Sequence, residues 1–120
     1  MAPKNKKGRI QKFMEKKIKL ALWEILVPSF YPNGAKIEVA YHRIWDNKVR
    51  KIAGGLTIFQ PTRGQWLSLD KHLFAEKMIP VRVGCTKSQI QKIADFTADH
   101  YKQKAVMYYL VSDKIFIKHY

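Results

Sequence analysis

The chain has 120 residues, with 23 Lys and Arg against nine Asp and Glu, and a formal net charge of +14. Its length predicts a single domain, and its apolar content of 47% is enough for a core, which excludes a wholly disordered chain. Because charge of this size repels itself in a compact fold, it favours a polyanionic partner. A basic surface kept only for solubility is the alternative.

Cys85 is the only cysteine, so no disulfide framework can form, and zinc-finger spacing is absent. We expect this thiol to be a buried core residue, because nothing near it in the sequence would activate it. A lone buried thiol fits a reducing compartment, so the protein is expected to be cytoplasmic. The apolar run at residues 20–27 is too short to span a bilayer, and membrane association is not expected.

The first predicted elements are a basic tail, residues 1–8, and a helix that opens a single domain over residues 9–120. From Arg9 onward, apolar side chains recur at intervals of three and four, which gathers them on one helix face. These residues are Ile10, Phe13, Met14, Ile18, Ala21, Leu22 and Ile25. Pro28 cannot continue a helix interior, so the helix is predicted to end near Val27.

A strand is predicted next, over residues 37–45, because Ile37, Val39 and Tyr41 alternate with other residues. Residues 46–48 then read as a turn. A central pair of strands follows, in which residues 56–59 run on to 66–69 and then connect to 73–74 and 79–85. In its last segment Ile79, Val81, Val83 and Cys85 share one face, which predicts that this face is buried.

The second predicted helix begins at Thr86, because Gln89 three residues later completes a capping-box pattern. Strands over residues 106–111 and 115–117 complete the chain. The order of helix, strands, helix, strands predicts an α+β fold in which helices cover a mostly antiparallel sheet.

A short signature gives a resemblance. Gly55-Leu56-Thr57-Ile58 followed by Gly64-Gln65-Trp66, and then Ala105-Val106-Met107 after a strand and a helix, resembles an uncharacterised family of small bacterial proteins. The resemblance covers about the C-terminal half of the chain. It implies a ferredoxin-like α+β fold and no known activity. From the residues alone, Gly64 marks a bulge or bend in the central pair.

The main functional prediction is a nucleic-acid-binding protein that contacts the phosphate backbone of RNA or DNA. The first 19 residues carry eight Lys or Arg against Glu15 alone, a stripe that would neutralise several phosphates. Trp45 is a possible stacking residue for unpaired bases, whereas Tyr41 is expected in the core. The predicted phosphate contacts are Arg9, Lys12, Lys16 and Lys19, with Arg43, Arg50 and Lys51 as a second patch.

Two alternatives stay open. The first is a small protein-interaction module, an inhibitor or accessory subunit, anchored by Trp23, Trp45 and Tyr120. The second is a metal-independent ribonuclease, although no spacing brings its histidines together and catalysis is not favoured. Its residues would come from His42, His72, His100 and His119. No catalytic residue, metal or cofactor is predicted, and the oligomeric state is left open.

Overall fold

The computed structural model describes residues 19–120, which form one antiparallel sheet and two helices. The predicted tail and residues 9–18 of the predicted first helix lie outside the described residues. The α+β fold class is confirmed. In chain order the elements are β1 (Ala21–Pro28), α1 (Val39–Ala53), β2 (Thr57–Ile58), β3 (Thr62–Leu67), β4 (Leu73–Cys85), α2 (Lys87–His100) and β5 (Tyr108–Ser112).

The strand order of the sheet is β2-β4-β1-β5, and β3 pairs with the first half of β4 on the same side as β2. All pairings are antiparallel. If β2 and β3 are taken as one interrupted strand, the chain follows the β-α-β-β-α-β order of a ferredoxin-like fold. Both helices lie on one face, against Ile25, Val81 and Val83. The other face carries no helix among residues 19–120.

The predicted first helix is wrong over residues 21–27, which form β1 at the centre of the sheet. Its odd-numbered residues face the helices, with Ile25 opposite Val81 and Val27 opposite Ile79. Its even-numbered residues lie on the opposite face, the helix-free face. Glu24 lies on this face and is buried although no described helix covers it. A run that is apolar on nearly all sides can be a buried strand as well as a buried helix, and sheet burial decided this one.

The predicted strand at residues 37–45 and the turn after it are also wrong, because this segment forms α1. The side chains that contact the core are Tyr41, Trp45, Val49 and Ile52, at helical spacing. The alternation that suggested a strand stops at Tyr41, whereas the helical spacing continues for three more turns. Gly54 ends the helix with a φ of 92°, a conformation that a side chain would disfavour.

The second predicted helix is confirmed as α2, including both hydrogen bonds of its capping box. The hydroxyl of Thr86 accepts from the Gln89 N–H at 3.1 Å, and the Gln89 carboxamide accepts from the Thr86 N–H at 2.9 Å. Cys85, predicted as core, is fully buried at the end of β4. Neither helix in the described range is long and apolar enough to cross a bilayer.

β3 and the first half of β4 form a two-stranded hairpin, residues 62–78, which we call the arm. Its side chains are mostly exposed, including Leu67 and Leu73. The β3–β4 register runs without a bulge, so the predicted irregularity at Gly64 is not present. The final strand predicted at residues 115–117 is wrong, because this segment has no ladder partner among the described residues and only β5 is paired.

Candidate functional site

Only part of the predicted phosphate-binding surface falls within the described residues. Arg9, Lys12 and Lys16 lie outside it. Lys19 is exposed just before β1, and it belongs to no helix.

The second predicted patch lies on α1. Arg43, Arg50 and Lys51 are all exposed, on the solvent side of the helix. Arg50 donates a hydrogen bond to the Asn47 carboxamide one turn earlier. Arg50 and Lys51 are also in the last turn of α1, where the helix dipole favours cations, so their positions have a structural explanation.

Trp45 is not a stacking residue for bases, because its ring is buried between the two helices. Its exposed fraction is 1%, and its indole N–H donates to the Thr97 hydroxyl at 2.9 Å. Thr97 in turn donates to the Ile93 carbonyl at 2.6 Å. Trp45 is therefore a core residue that ties α1 to α2.

A cluster of histidines and tyrosines continues this helix interface. The ring of Tyr41 stacks on His100 at 3.9 Å between centroids, and the Tyr41 hydroxyl donates to the His100 carbonyl at 2.7 Å. A ring nitrogen of His42 lies 2.7 Å from the hydroxyl of Tyr101, which is fully buried. The structure thus joins two histidines 58 positions apart in sequence, a proximity that their spacing does not reveal.

This cluster holds the helices together through hydrogen bonds and stacked rings. The Tyr41 carbonyl lies 2.9 Å from a ring nitrogen of His100, and a ring nitrogen of His42 lies 2.7 Å from the Tyr101 hydroxyl. Each histidine ring therefore has a hydrogen-bonding partner. Burial lowers the pKa of His42 and raises that of Tyr101. Of the other histidines, His72 packs on Phe74 in the arm.

The helix-free face carries a second polar cluster, centred on Glu24. Its carboxylate accepts from Arg82 Nε at 2.9 Å and from the Tyr109 hydroxyl. The Arg82 guanidinium lies 5.0 Å from the centre of the Phe59 ring. The pairing explains how a carboxylate in the middle of a sheet can be buried.

A groove of about 1200 Å³ lies at the base of the arm. One wall is the arm itself. The second is the loop after β1, with Phe30 and Tyr31, and the third is the segment from Lys102 to Tyr108 that leads into β5. We refer to this space as the groove.

The arm wall combines aromatic rings with a carboxylate. Trp66 lies directly opposite Phe74 in the β3–β4 register, and Gly64 lies opposite Glu76. Because side chains two apart share a face, Trp66, Phe74 and Glu76 project from the same side of the arm. The Trp66 ring lies over Gly64, and a Cβ at position 64 would be 3.3 Å from that ring. This close contact favours glycine at the position.

The rim of the groove is basic. Lys77 belongs to the arm, and Lys102 and Lys104 belong to the segment after α2. One acidic side chain therefore stands among three basic ones, beside a largely apolar surface that includes several aromatic rings. Such a site suits a small ligand with a planar ring and both charged and neutral polar groups.

No group of three or more His, Cys, Asp or Glu side chains that could hold a metal ion occurs in residues 19–120. The absence of a bound metal therefore stays a prediction. The groove contains a single acidic residue, Glu76, and no histidine.

No family model matches the chain, and no curated protein matches it. Solved structures do. A phage SAM lyase in complex with S-methyl-5'-thioadenosine has 12% identity and a TM-score of 0.60, over 79% of this chain and 82% of that one. The periplasmic divalent cation tolerance protein CutA from Archaeoglobus fulgidus has 11% identity and a TM-score of 0.59, over 82% and 88%. CutA1 from the psychrotrophic bacterium Shewanella sp. SIB1 has 11% identity and a TM-score of 0.58, over 87% of each chain.

At these identities the comparisons show a shared ferredoxin-like fold. They also correct the main functional prediction. The three structures named here are two cation tolerance proteins and a SAM lyase, and none of them is described as binding nucleic acid, so the prediction of nucleic acid as the partner is wrong. The net charge was a poor guide, because it does not specify a partner.

Sequence reasoning missed the groove, although one signal for it was visible. Gly64-Gln65-Trp66 is part of the family signature, and the structure places Trp66 in the groove wall, with its ring close to Gly64. Glu76 and Phe74 gave no signal of their own. The resemblance to the family of small bacterial proteins is not tested by the similar structures and stays a prediction.

Proposed function

We propose that the chain binds a small adenosine thioether or sulfonium ligand in the groove, of the S-methyl-5'-thioadenosine and S-adenosylmethionine type. The observation that carries this proposal is the wall of the arm, where the Glu76 carboxylate shares a face with the rings of Trp66 and Phe74. The ligand class comes from the phage SAM lyase, which has the same fold and was solved with S-methyl-5'-thioadenosine.

Each part of such a ligand has a matching group in the groove. An adenine ring stacks favourably on exposed aromatic side chains, and Phe74 is 47% exposed. A carboxylate is the usual acceptor for ribose hydroxyls, and Glu76 is the acid in the groove wall. A sulfonium group is stabilised both by that carboxylate and by the faces of the rings.

The lysines of the rim distinguish the two ligands. S-adenosylmethionine carries a carboxylate that S-methyl-5'-thioadenosine lacks. Lys102 and Lys104 stand across the groove from the arm and provide cationic partners for this group. We therefore expect S-adenosylmethionine to bind more tightly than S-methyl-5'-thioadenosine, and the difference to shrink as salt increases.

Divalent cations are the other ligand suggested by the similar structures, since the CutA proteins are cation tolerance proteins. The geometry gives this function less support. The described residues assemble no set of three ligating side chains, whereas they do assemble an aromatic groove with a carboxylate.

Isothermal titration calorimetry of the full chain with S-methyl-5'-thioadenosine, S-adenosylmethionine and adenosine tests the proposal. Trp66→Ala is expected to weaken binding about tenfold or more, since stacking on one aromatic ring contributes roughly 1–3 kcal/mol. Glu76→Gln is expected to weaken it as well, while Glu38→Gln, an exposed acid outside the groove, serves as the matched control.

Binding that is lost in Trp66→Ala and Glu76→Gln but kept in the control supports the proposal. Absence of measurable heat for all three ligands at millimolar concentration would refute it, and so would equal weakening in the control. Analysis of the S-adenosylmethionine samples for released S-methyl-5'-thioadenosine shows in the same experiment whether binding leads to cleavage.

The cytoplasmic location expected from the sequence is retained as part of the proposal. It is supported by Cys85, a free and fully buried thiol. A periplasmic location, as named for the Archaeoglobus fulgidus protein, is the competing expectation. Fractionation of cells that express the chain from its own gene distinguishes the two.

A further inference from the structure

The end of α2 places a lysine where helices usually have a glycine. The Gln103 N–H donates to the Ala98 carbonyl at 2.8 Å, and the Lys102 N–H donates to the Asp99 carbonyl at 3.4 Å. These two bonds form a Schellman motif, which requires a left-handed backbone at the position of Lys102. The φ of Lys102 is accordingly 55°. Glycine is the common residue at this position because it has no Cβ to clash with its own backbone.

The lysine therefore lowers the stability of the fold relative to glycine. A residue with a side chain finds the left-handed conformation less favourable than the right-handed one. Within residues 19–120, the other non-glycine residue with a positive φ is Lys71, at 65°. Lys71 lies in the turn at the tip of the arm, where glycine is also usual, and it does not line the groove. The two lysines thus share a backbone conformation and differ in their surroundings.

Lys102 lines the groove and has a fixed backbone. The Schellman bonds hold it on the helix side, and the Gln103 carboxamide donates to the carbonyl of the buried Tyr101 at 3.2 Å. Its ammonium group forms no ion pair within residues 19–120. Unfavourable backbone conformations that the surrounding structure holds in place are frequent at ligand-binding sites. The end of α2 therefore presents an unpaired cation to the groove from a fixed point on its rim.

Lys104, the other basic residue of this segment, has no such anchor. It also lines the groove, but its backbone makes no hydrogen bond to another residue of the described range. A group that is already held in place loses less conformational entropy on binding than one that the ligand must order. Lys102 is therefore better placed than Lys104 to bind an anionic group of a ligand.

We propose that Lys102 determines which adenosine ligand the groove prefers. It pairs with the carboxylate that S-adenosylmethionine carries and S-methyl-5'-thioadenosine lacks, and it does so from a position where glycine would make the fold more stable. The inference rests on the proposed function, because it names the residue that distinguishes the two ligands. It adds a claim about stability that the ligand proposal does not make.

Thermal unfolding and isothermal titration calorimetry of the full chain test both parts. Lys102→Gly is expected to raise the melting temperature by about 2–4 °C, because it removes the unfavourable side chain from the left-handed position. The same variant should bind S-adenosylmethionine about fivefold more weakly or worse, and S-methyl-5'-thioadenosine less than about twofold more weakly. Lys102→Arg keeps both the charge and the backbone cost, so it should keep the preference.

Two matched controls separate the backbone effect from the charge effect. Lys71→Gly makes the same backbone change outside the groove, so it should raise the melting temperature and leave both affinities unchanged. Lys104→Ala removes a charge from the same rim, and it should weaken binding of S-adenosylmethionine less than Lys102→Gly does.

A more stable Lys102→Gly variant that has lost the preference for S-adenosylmethionine supports the inference. An unchanged preference in that variant would overturn it, and so would equal weakening of both ligands, a lower melting temperature, or a wild-type chain without a preference. In each of these cases binding of S-methyl-5'-thioadenosine to the wild-type chain leaves the ligand proposal standing. A wild-type chain that binds neither ligand would refute the ligand proposal and this inference with it.

Discussion

The bond between Trp45 and Thr97 gives the sharpest test of the helix interface. Replacement of Thr97 by valine keeps the shape of the side chain but removes the hydroxyl that accepts from the Trp45 indole at 2.9 Å. Both residues are buried, with exposed fractions of 1% for Trp45 and 0% for Thr97, so the indole N–H would be left without a partner and without water.

A buried donor without an acceptor costs about 1–3 kcal/mol, and we expect Thr97→Val to lower the free energy of unfolding by that amount. For a domain of this size, a loss of about 2 kcal/mol lowers the melting temperature by roughly 8 °C. The cost should shrink when the donor is also removed, so a double-mutant cycle with Trp45→Phe should give a coupling energy of about 1 kcal/mol or more.

Urea unfolding followed by circular dichroism measures all four proteins of the cycle. Thr57→Val, at an exposed threonine on β2, is the matched control and should change stability by less than about 0.5 kcal/mol. A loss no larger than that in Thr97→Val, or a coupling energy near zero, would show that the Trp45–Thr97 bond does not stabilise the interface.

Four further outcomes follow from single positions. Burial raises the pKa of the Cys85 thiol to about 11, so a thiol reagent should react only on unfolding, and rapid reaction of the native protein would contradict its placement. Burial lowers the pKa of His42 below its ordinary value of 6.5, so the folded state prefers the neutral ring. Stability should then fall as the pH drops below 6.5, and His42→Asn should flatten that part of the pH profile. Arg82→Met should cost about 1–3 kcal/mol, because it leaves the buried Glu24 carboxylate without its cation and with only the Tyr109 hydroxyl as a partner. Glu24→Leu should cost less, because the Arg82 side chain is 40% exposed and can be hydrated; equal losses in chemical denaturation would show the asymmetry to be wrong. Gly54→Ala should cost about 1–2 kcal/mol, because its φ of 92° is unfavourable for a side chain, and unchanged thermal stability would refute this.

The parts of the fold that could be predicted from the sequence are those set by local signals. The capping box at Thr86 and Gln89 fixes the start of α2 by hydrogen bonds within four residues. The alternation from Ile79 to Cys85 places one set of side chains on a buried face, and the strand it predicts is confirmed as the second half of β4. The fold class also followed, because it needs only the presence of helices and strands in about the right order.

The errors fall where tertiary burial overrides local pattern. Residues 21–27 bury side chains on both faces of β1. The helices cover one face, and on the other face Glu24 is buried against Arg82. That two-sided burial depends on residues nearly 60 positions away, which no local period can show. The first residues of α1 carry a short alternation by coincidence, and the helical spacing of Trp45, Val49 and Ile52 was the better guide.

The candidate site was harder to predict than the fold, because its groups come from separate segments. The groove is assembled from the arm, the loop after β1 and the segment after α2, and only the register of β3 with β4 places Glu76 beside Trp66. Basic residues were conspicuous in the sequence, but charge alone indicates attraction to anions in general and no particular ligand. The groove depends on shape, which the sequence does not display.

The most direct test of ligand binding in the groove uses the indole N–H signals of the three tryptophans in a two-dimensional NMR spectrum, assigned by single Trp→Phe variants. Titration with S-methyl-5'-thioadenosine should shift the Trp66 signal progressively, while the Trp45 signal, held by Thr97 in the core, should stay in place. A Trp66 signal that does not move at saturating millimolar ligand, or movement of all three signals together, would contradict a binding site at the base of the arm.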